Sequence, residues 1–208
     1  MSNPQIQIDT EIVCGLWDYM CRTHVLKVKS KSDSFLCKII RPFTGISKKI
    51  WKKVSTLLGR TLYTNIKPGI ETEGSSLIGH CALITHECQH RIQNDLDPAY
   101  LLKYVFSKRK RMEYEVDAYT CNMELYRELT NDLIPIDAIL DKLRLYKLSK
   151  SLLEAARVIL KRRSDIIWKY GAITKAGKEA LWYLYQYQIA NKLVIRMPKE
   201  ENKSRVLL

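Results

Sequence analysis

Two imidazoles four residues apart, in His86-Glu87-Cys88-Gln89-His90, constrain this chain more than any other feature of its sequence. On a helix, positions i and i+4 lie one turn apart on the same face, so His86 and His90 can converge on one point while Glu87 projects beside them. The flanking sequence supplies that helix. Leu83 and Ile84 precede the motif and Ile92 follows it, Ser75 or Ser76 offers an N-cap, and Asp97-Pro98 offers a stop, which together predict a helix over Leu77 to Asn94 with the motif in its middle.

Paired imidazoles with an adjacent carboxylate suit a zinc hydrolase. Such a site needs three protein ligands, an open position for water and a base beside that water. His86 and His90 would be two metal ligands and Glu87 the catalytic base, taking a proton and later returning it to a leaving amine. The third ligand is expected to be an acid on another helix, and Met112 to Thr130 reads as one. Glu113 and Glu115 are separated by about 200° around such a helix, so only one can face the metal. Glu115 shares its face with Met112, Ala118, Asn122, Leu125 and Leu129, whereas Glu113 lies with Val116, Asp117, Thr120, Glu124 and Arg127, which read as the wetter side. Glu115 is therefore the expected zinc ligand. Tyr119 and Tyr126 are the nearest candidates for stabilising an oxyanion, although with 12 tyrosines in the chain each is better read as a core or interface residue.

His86-Glu87-Cys88-Gln89-His90, followed on the next helix by Glu115-Val116-Asp117-Ala118, resembles the gluzincin metallopeptidases, with their HExxH and downstream E-x-[ED]-A. That resemblance implies a third zinc ligand at Glu115 and a small residue at Ala118 that lets the two helices approach. Extended through Gln93, the motif is also similar to that of bacterial and phage metallopeptidases with HExxHxxQ. The likeness spans roughly residues 75–130. Arg91 departs from it, being charged where most members are not, and Glu113 with Asp117 offers a second, thermolysin-like E-x-x-x-D register that ranks behind Glu115.

The rest of the chain predicts a predominantly α-helical α+β fold: a minimal zincin-like metallopeptidase core with a small or rudimentary sheet and extra helices at both ends. Residues 1–60 read as a basic helical region, with helices over 9–30 and around Ile46, Ile50, Val54, Leu57 and Leu58, the latter capped by Gly59, and a loop at Lys27 to Ser32. Residues 61–130 form the expected catalytic core, with a strand over Thr61 to Ile66. Residues 131–196 continue as helices over 136–148, 149–168 and 174–195, and 197–208 as a tail.

With 46% hydrophobic and 27% charged residues, wholesale disorder is excluded. The uncharged stretch from Gly74 to Thr85 is too short and polar to span a bilayer, and no basic-then-apolar leader opens the sequence, so a cytoplasmic protein is expected, with a virion as the other setting. Six cysteines without a CxxC pair, two of them inside the motif helix, predict reduced thiols. The net charge of +13 lies on both sides of an acidic stretch at 61–100. Partners are accordingly a peptide or protein substrate and, through the basic flanks, an anionic partner such as nucleic acid or an acidic protein. The competing reading is a non-catalytic or structural component, for example of a phage particle, that keeps a metallopeptidase fold. A third, a helical nucleic-acid binder, rests on the basic runs Lys48 to Lys53 and Lys161 to Arg163. Glu87 favours the enzyme, because a purely structural metal site needs no such carboxylate.

Overall fold

A computed structural model describes residues 6–31 and 55–196. They form a predominantly helical α+β structure. Helix α1 (Thr10–Thr23) starts where Asp9 accepts the Ile12 N–H at 2.9 Å, and buries Ile12, Val13, Leu16, Trp17 and Met20 along one stripe. It ends seven residues earlier than expected. The chain turns through Val25, at φ 52°, into strand β1 (Lys27–Ser30), where the sequence had suggested helix running into loop. Four exposed residues with no apolar alternation leave no strand signal there; β1 exists because its backbone pairs in parallel with β3 (Thr61–Thr64).

Strand β2 (Thr56–Leu58) runs antiparallel to β3, giving the order β1-β3-β2. This corrects the expectation that Leu57 and Leu58 end a helix; residues 46–54 of that segment lie outside the described residues. Gly59, at φ 60°, is the hairpin turn rather than a helix cap, a left-handed position that suits glycine. Leu62 is fully buried and pins this small sheet to the helices.

Helix α2 (Leu77–Leu96) carries the motif and is capped by Ser76, whose Oγ accepts the Gly79 N–H at 3.1 Å. After it come α3 (Tyr100–Phe106), α4 (Lys108–Thr130), α5 (Ile136–Arg144), α6 (Lys150–Tyr170) and α7 (Lys175–Arg196). Helix α4 is central. Its Cys121, Leu125 and Leu129 join an apolar cluster with α1, α2 and α7, while Met112, Val116, Tyr119 and Met123 join a second one with α5 and α6. The side of α4 that reads as wet in the sequence is thus covered: Val116, Thr120 and Glu124 are buried.

Glu124 shows how that covering is held. Its carboxylate accepts the backbone N–H groups of Ile173 and Thr174, both at 2.8 Å, and the Thr174 hydroxyl at 2.5 Å, so it caps the start of α7 from a neighbouring helix. A Cβ on Gly177 would overlap that carboxylate, which is why the first turn of α7 carries a glycine.

Candidate metal centre

Helices α2 and α4 pack directly on one another, and Ala118 lies fully buried on α4. His86 and His90 reach from α2 toward Glu115 on α4, and all three side chains are buried, Glu115 to 1% exposure. The two Nε2 atoms are 3.1 Å apart. Glu115 Oε2 lies 3.6 Å from His86 Nε2, and Oε1 lies 3.5 Å from His90 Nε2. Tetrahedral zinc with bonds of about 2.0–2.1 Å sets its ligand atoms about 3.3 Å apart. The three groups therefore come close to the spacing that zinc requires, each histidine facing a different oxygen of Glu115. Glu115 Oε2 is moreover a buried acceptor with no hydrogen-bond partner, an arrangement that costs stability unless a cation satisfies it.

Glu113 stands apart. Half-exposed, it accepts Arg109 Nε at 3.2 Å and Lys110 Nζ at 2.7 Å, and the lysine is the main reason its pKa is lowered. The E-x-x-x-D register is thereby set aside.

A ring of hydrogen bonds fixes these candidate ligands from outside. Gln93 Nε2 faces two acceptors, Tyr114 O at 3.0 Å and Asp117 Oδ2 at 3.3 Å. Its Oε1 must then accept from His90 Nδ1, 2.9 Å away, which places the neutral ring's proton on Nδ1 and its lone pair on Nε2, facing Glu115. Tyr100 Oη also meets His90 Nδ1 at 3.1 Å. Asp117 is held in turn by Arg163 from α6, at 2.5 Å. On the other side, the Tyr104 hydroxyl donates to Glu115 Oε1 at 2.5 Å. Arg91 pairs through Nη2 with Asp95 one turn on, at 2.5 Å, while its Nε is buried without a partner.

The electrostatics draw positive charge inward. Burial pulls the His90 pKa down, but the charge of Glu115, and the hydrogen bond that a protonated Nε2 makes to it, reverse this and raise it to about 9, so the free lone pair on Nε2 belongs to the deprotonated ring that a metal would take. Burial likewise opposes ionisation of Glu115, and His90 and His86 overcome it, holding that carboxyl well below its ordinary value. Glu87 differs: burial raises its pKa, only partly offset by the two histidines, and its carboxylate makes no hydrogen bond among the described residues. It faces a cleft of about 750 Å³ lined also by Leu83, Tyr119, Asn122, Lys142 and Tyr146. A buried, unengaged carboxylate beside three converging donors is suited to proton transfer.

Sequence reasoning brought His86, Glu87, His90 and Glu115 to one place, and the structure gathers all four. Tyr119 packs edge-on against His86 at 4.8 Å between ring centroids, and both it and Tyr126 line the cleft. The supporting groups Tyr100, Tyr104, Tyr146 and Arg163 were missed. The i, i+4 spacing of Tyr100 and Tyr104 was a usable signal; Tyr146 and Arg163 are placed only by tertiary packing. The five described cysteines are free thiols, with burial pushing Cys21 up to about 11 and Cys81 up to about 12. Among the described residues no helix is long and apolar enough to cross a membrane. No family model, curated protein or solved structure matches this chain.

Proposed function

We propose that this protein is a zinc-dependent peptidase of the gluzincin type, with His86, His90 and Glu115 as metal ligands and Glu87 as general base and acid. The observation that carries the reading is the separation of the three donor groups at 3.1, 3.5 and 3.6 Å, with His86 and Glu87 lining the adjoining cleft. When bound, zinc lowers the pKa of water to about 7 and polarises a carbonyl. The chain's own residues do the rest. Glu87, with its pKa raised by burial, accepts the proton of the attacking water and delivers it to the departing amine nitrogen. Burial pushes the Tyr119 and Tyr146 hydroxyls well above their ordinary pKa, so both stay protonated and can donate to oxygen as charge develops on it.

Glu87 weighs against a purely structural role, since neither the metal geometry nor the packing uses its carboxylate. The basic run Lys48 to Lys53 lies outside the described residues, and Arg163 is committed to Asp117 and Thr120, which removes one cation from the proposed nucleic-acid surface. The test is Glu87→Gln. Zinc-loaded wild type should cut members of a broad peptide library, and the variant, with fold and zinc intact, should lose nearly all of that activity. Equal cutting by both proteins overturns the mechanism, and no cutting by zinc-loaded wild type overturns the peptidase assignment.

A further inference from the structure

The cleft beside Glu87 contains two polar groups that neither the metal geometry nor the fold employs. Lys142, on α5, is the single lysine or arginine among the described residues that line it. Its ammonium stands 5.6 Å from the centroid of the Tyr119 ring, the same ring whose edge meets His86. No carboxylate among the described residues pairs with it, in a chain where Arg109, Lys110, Arg157 and Arg163 all have acidic partners. Lys142 is exposed as a residue, and desolvation where it meets the cleft lowers its pKa, so an anion placed there would stabilise its ammonium. One tyrosine ring thus separates a free cation from the reacting centre, a reach that extended peptide covers in about two or three residues at ~3.4 Å each.

Asn122, one turn beyond Tyr119 on α4, lines the same cleft. It is 8% exposed, and its Oδ1 is buried with no hydrogen-bond partner. A cleft-lining amide whose oxygen has no partner can serve as an acceptor for the N–H of a bound chain, once its side chain turns toward it. An acceptor for peptide backbone and a cation beyond it are what a chain with a nearby negative charge requires.

We propose that the cleft selects peptides bearing a carboxylate within about three residues of the scissile bond, with Lys142 pairing that carboxylate and Asn122 accepting a backbone N–H. The carboxylate is either the peptide's own C-terminus or an Asp or Glu side chain. This rests on the peptidase reading for the chemistry but not for the binding.

Two measurements separate these levels. The first is binding of N-acetyl-trialanine and its C-terminal amide to zinc-loaded Glu87→Gln protein by calorimetry, repeated with an N-acetyl-Ala-Glu-Ala amide against its Gln counterpart. The second is wild-type cleavage of longer peptides that differ in the same ways. The carboxylate forms should bind and react about three- to fivefold better, the ratio expected of an exposed ion pair. Which pair shows the preference tells the C-terminus from an acidic side chain. Adding Lys142→Met should bring the ratio to within about twofold, and Lys142→Arg should restore it, which separates pairing by Lys142 from direct capture of carboxylate by the metal. Cleavage without carboxylate preference, or a preference that survives Lys142→Met, overturns the selection and leaves the peptidase standing. Lys142-dependent carboxylate binding with no cleavage of any peptide does the reverse.

Discussion

Gln93→Met tests the metal centre without touching a ligand. Methionine nearly conserves the volume of the buried glutamine, so packing should change little. What disappears is the acceptor 2.9 Å from His90 Nδ1 and the amide that bridges to Tyr114 O and Asp117. His90 keeps one partner, the Tyr100 hydroxyl at 3.1 Å, and Asp117 keeps Arg163. Loss of a group that orients a metal-bound histidine costs about 10–100-fold in affinity, and one ordinary hydrogen bond contributes about 1 kcal/mol. With Tyr100 still in place the lower end applies, so Gln93→Met should weaken zinc binding about tenfold. Adding Tyr100→Phe strips His90 Nδ1 of both partners and should bring the loss to about 100-fold. Zinc competition against a chromophoric chelator at neutral pH reads the affinity, and circular dichroism with thermal unfolding confirms that each variant is folded. A folded double variant that binds zinc as tightly as wild type would show that His90 is not held through Nδ1 for ligation by Nε2.

Glu115→Gln should reduce zinc affinity far more than Glu113→Gln, which should leave it within about twofold because an exposed ion pair is worth little; the reverse order in the same competition assay would reinstate the other register. Gly177→Ala should destabilise the protein by about 1–3 kcal/mol in denaturant unfolding, as overpacking pushes Glu124 off its contacts at the start of α7; an unchanged midpoint would remove that account of the glycine. Asp97, beside Lys103 and Tyr114, has its pKa lowered from 3.8 to about 2, chiefly by the Lys103 hydrogen bond. A depressed carboxyl contributes stability that is complete above its unfolded value and fades as pH falls through the folded one, so the corner between α2 and α3 should stay clamped until pH approaches about 2. Carboxyl carbon titration by NMR checks this, and a midpoint near 4, the ordinary aspartate value, would contradict it.

The convergence of His86, His90 and Glu115 was legible because the spacing that produces it is local. Helical spacing alone places His86 and His90 together, and the choice of Glu115 over Glu113 needed only the helix period. The premise beside that choice was incomplete: α4 is covered on both sides, and nothing in its own sequence announces that α6 and α7 will cover Thr120 and Glu124. Ser76 and Asp97 were readable as the ends of α2 because caps are written in adjacent residues. Strands β1 and β2 were not readable. Lys27 to Ser30 carries no alternating pattern, and Leu57-Leu58 mimics a helix face, since a strand of three or four residues is stabilised by its partner's backbone rather than by its own periodicity. Arg163 stayed hidden for a related reason, its link to Asp117 bridging distant parts of the chain that only packing unites.

Zinc content tests the central claim most directly. Purified wild-type protein, exposed to zinc and freed of loosely bound ions, should retain about one zinc per chain by elemental mass spectrometry. The His86→Ala/His90→Ala double variant, with helical content confirmed, should retain less than about a tenth of that, because Glu115 alone cannot hold the ion. Equal zinc in both proteins, or a folded wild type that retains none, would contradict the metal centre on which this account stands.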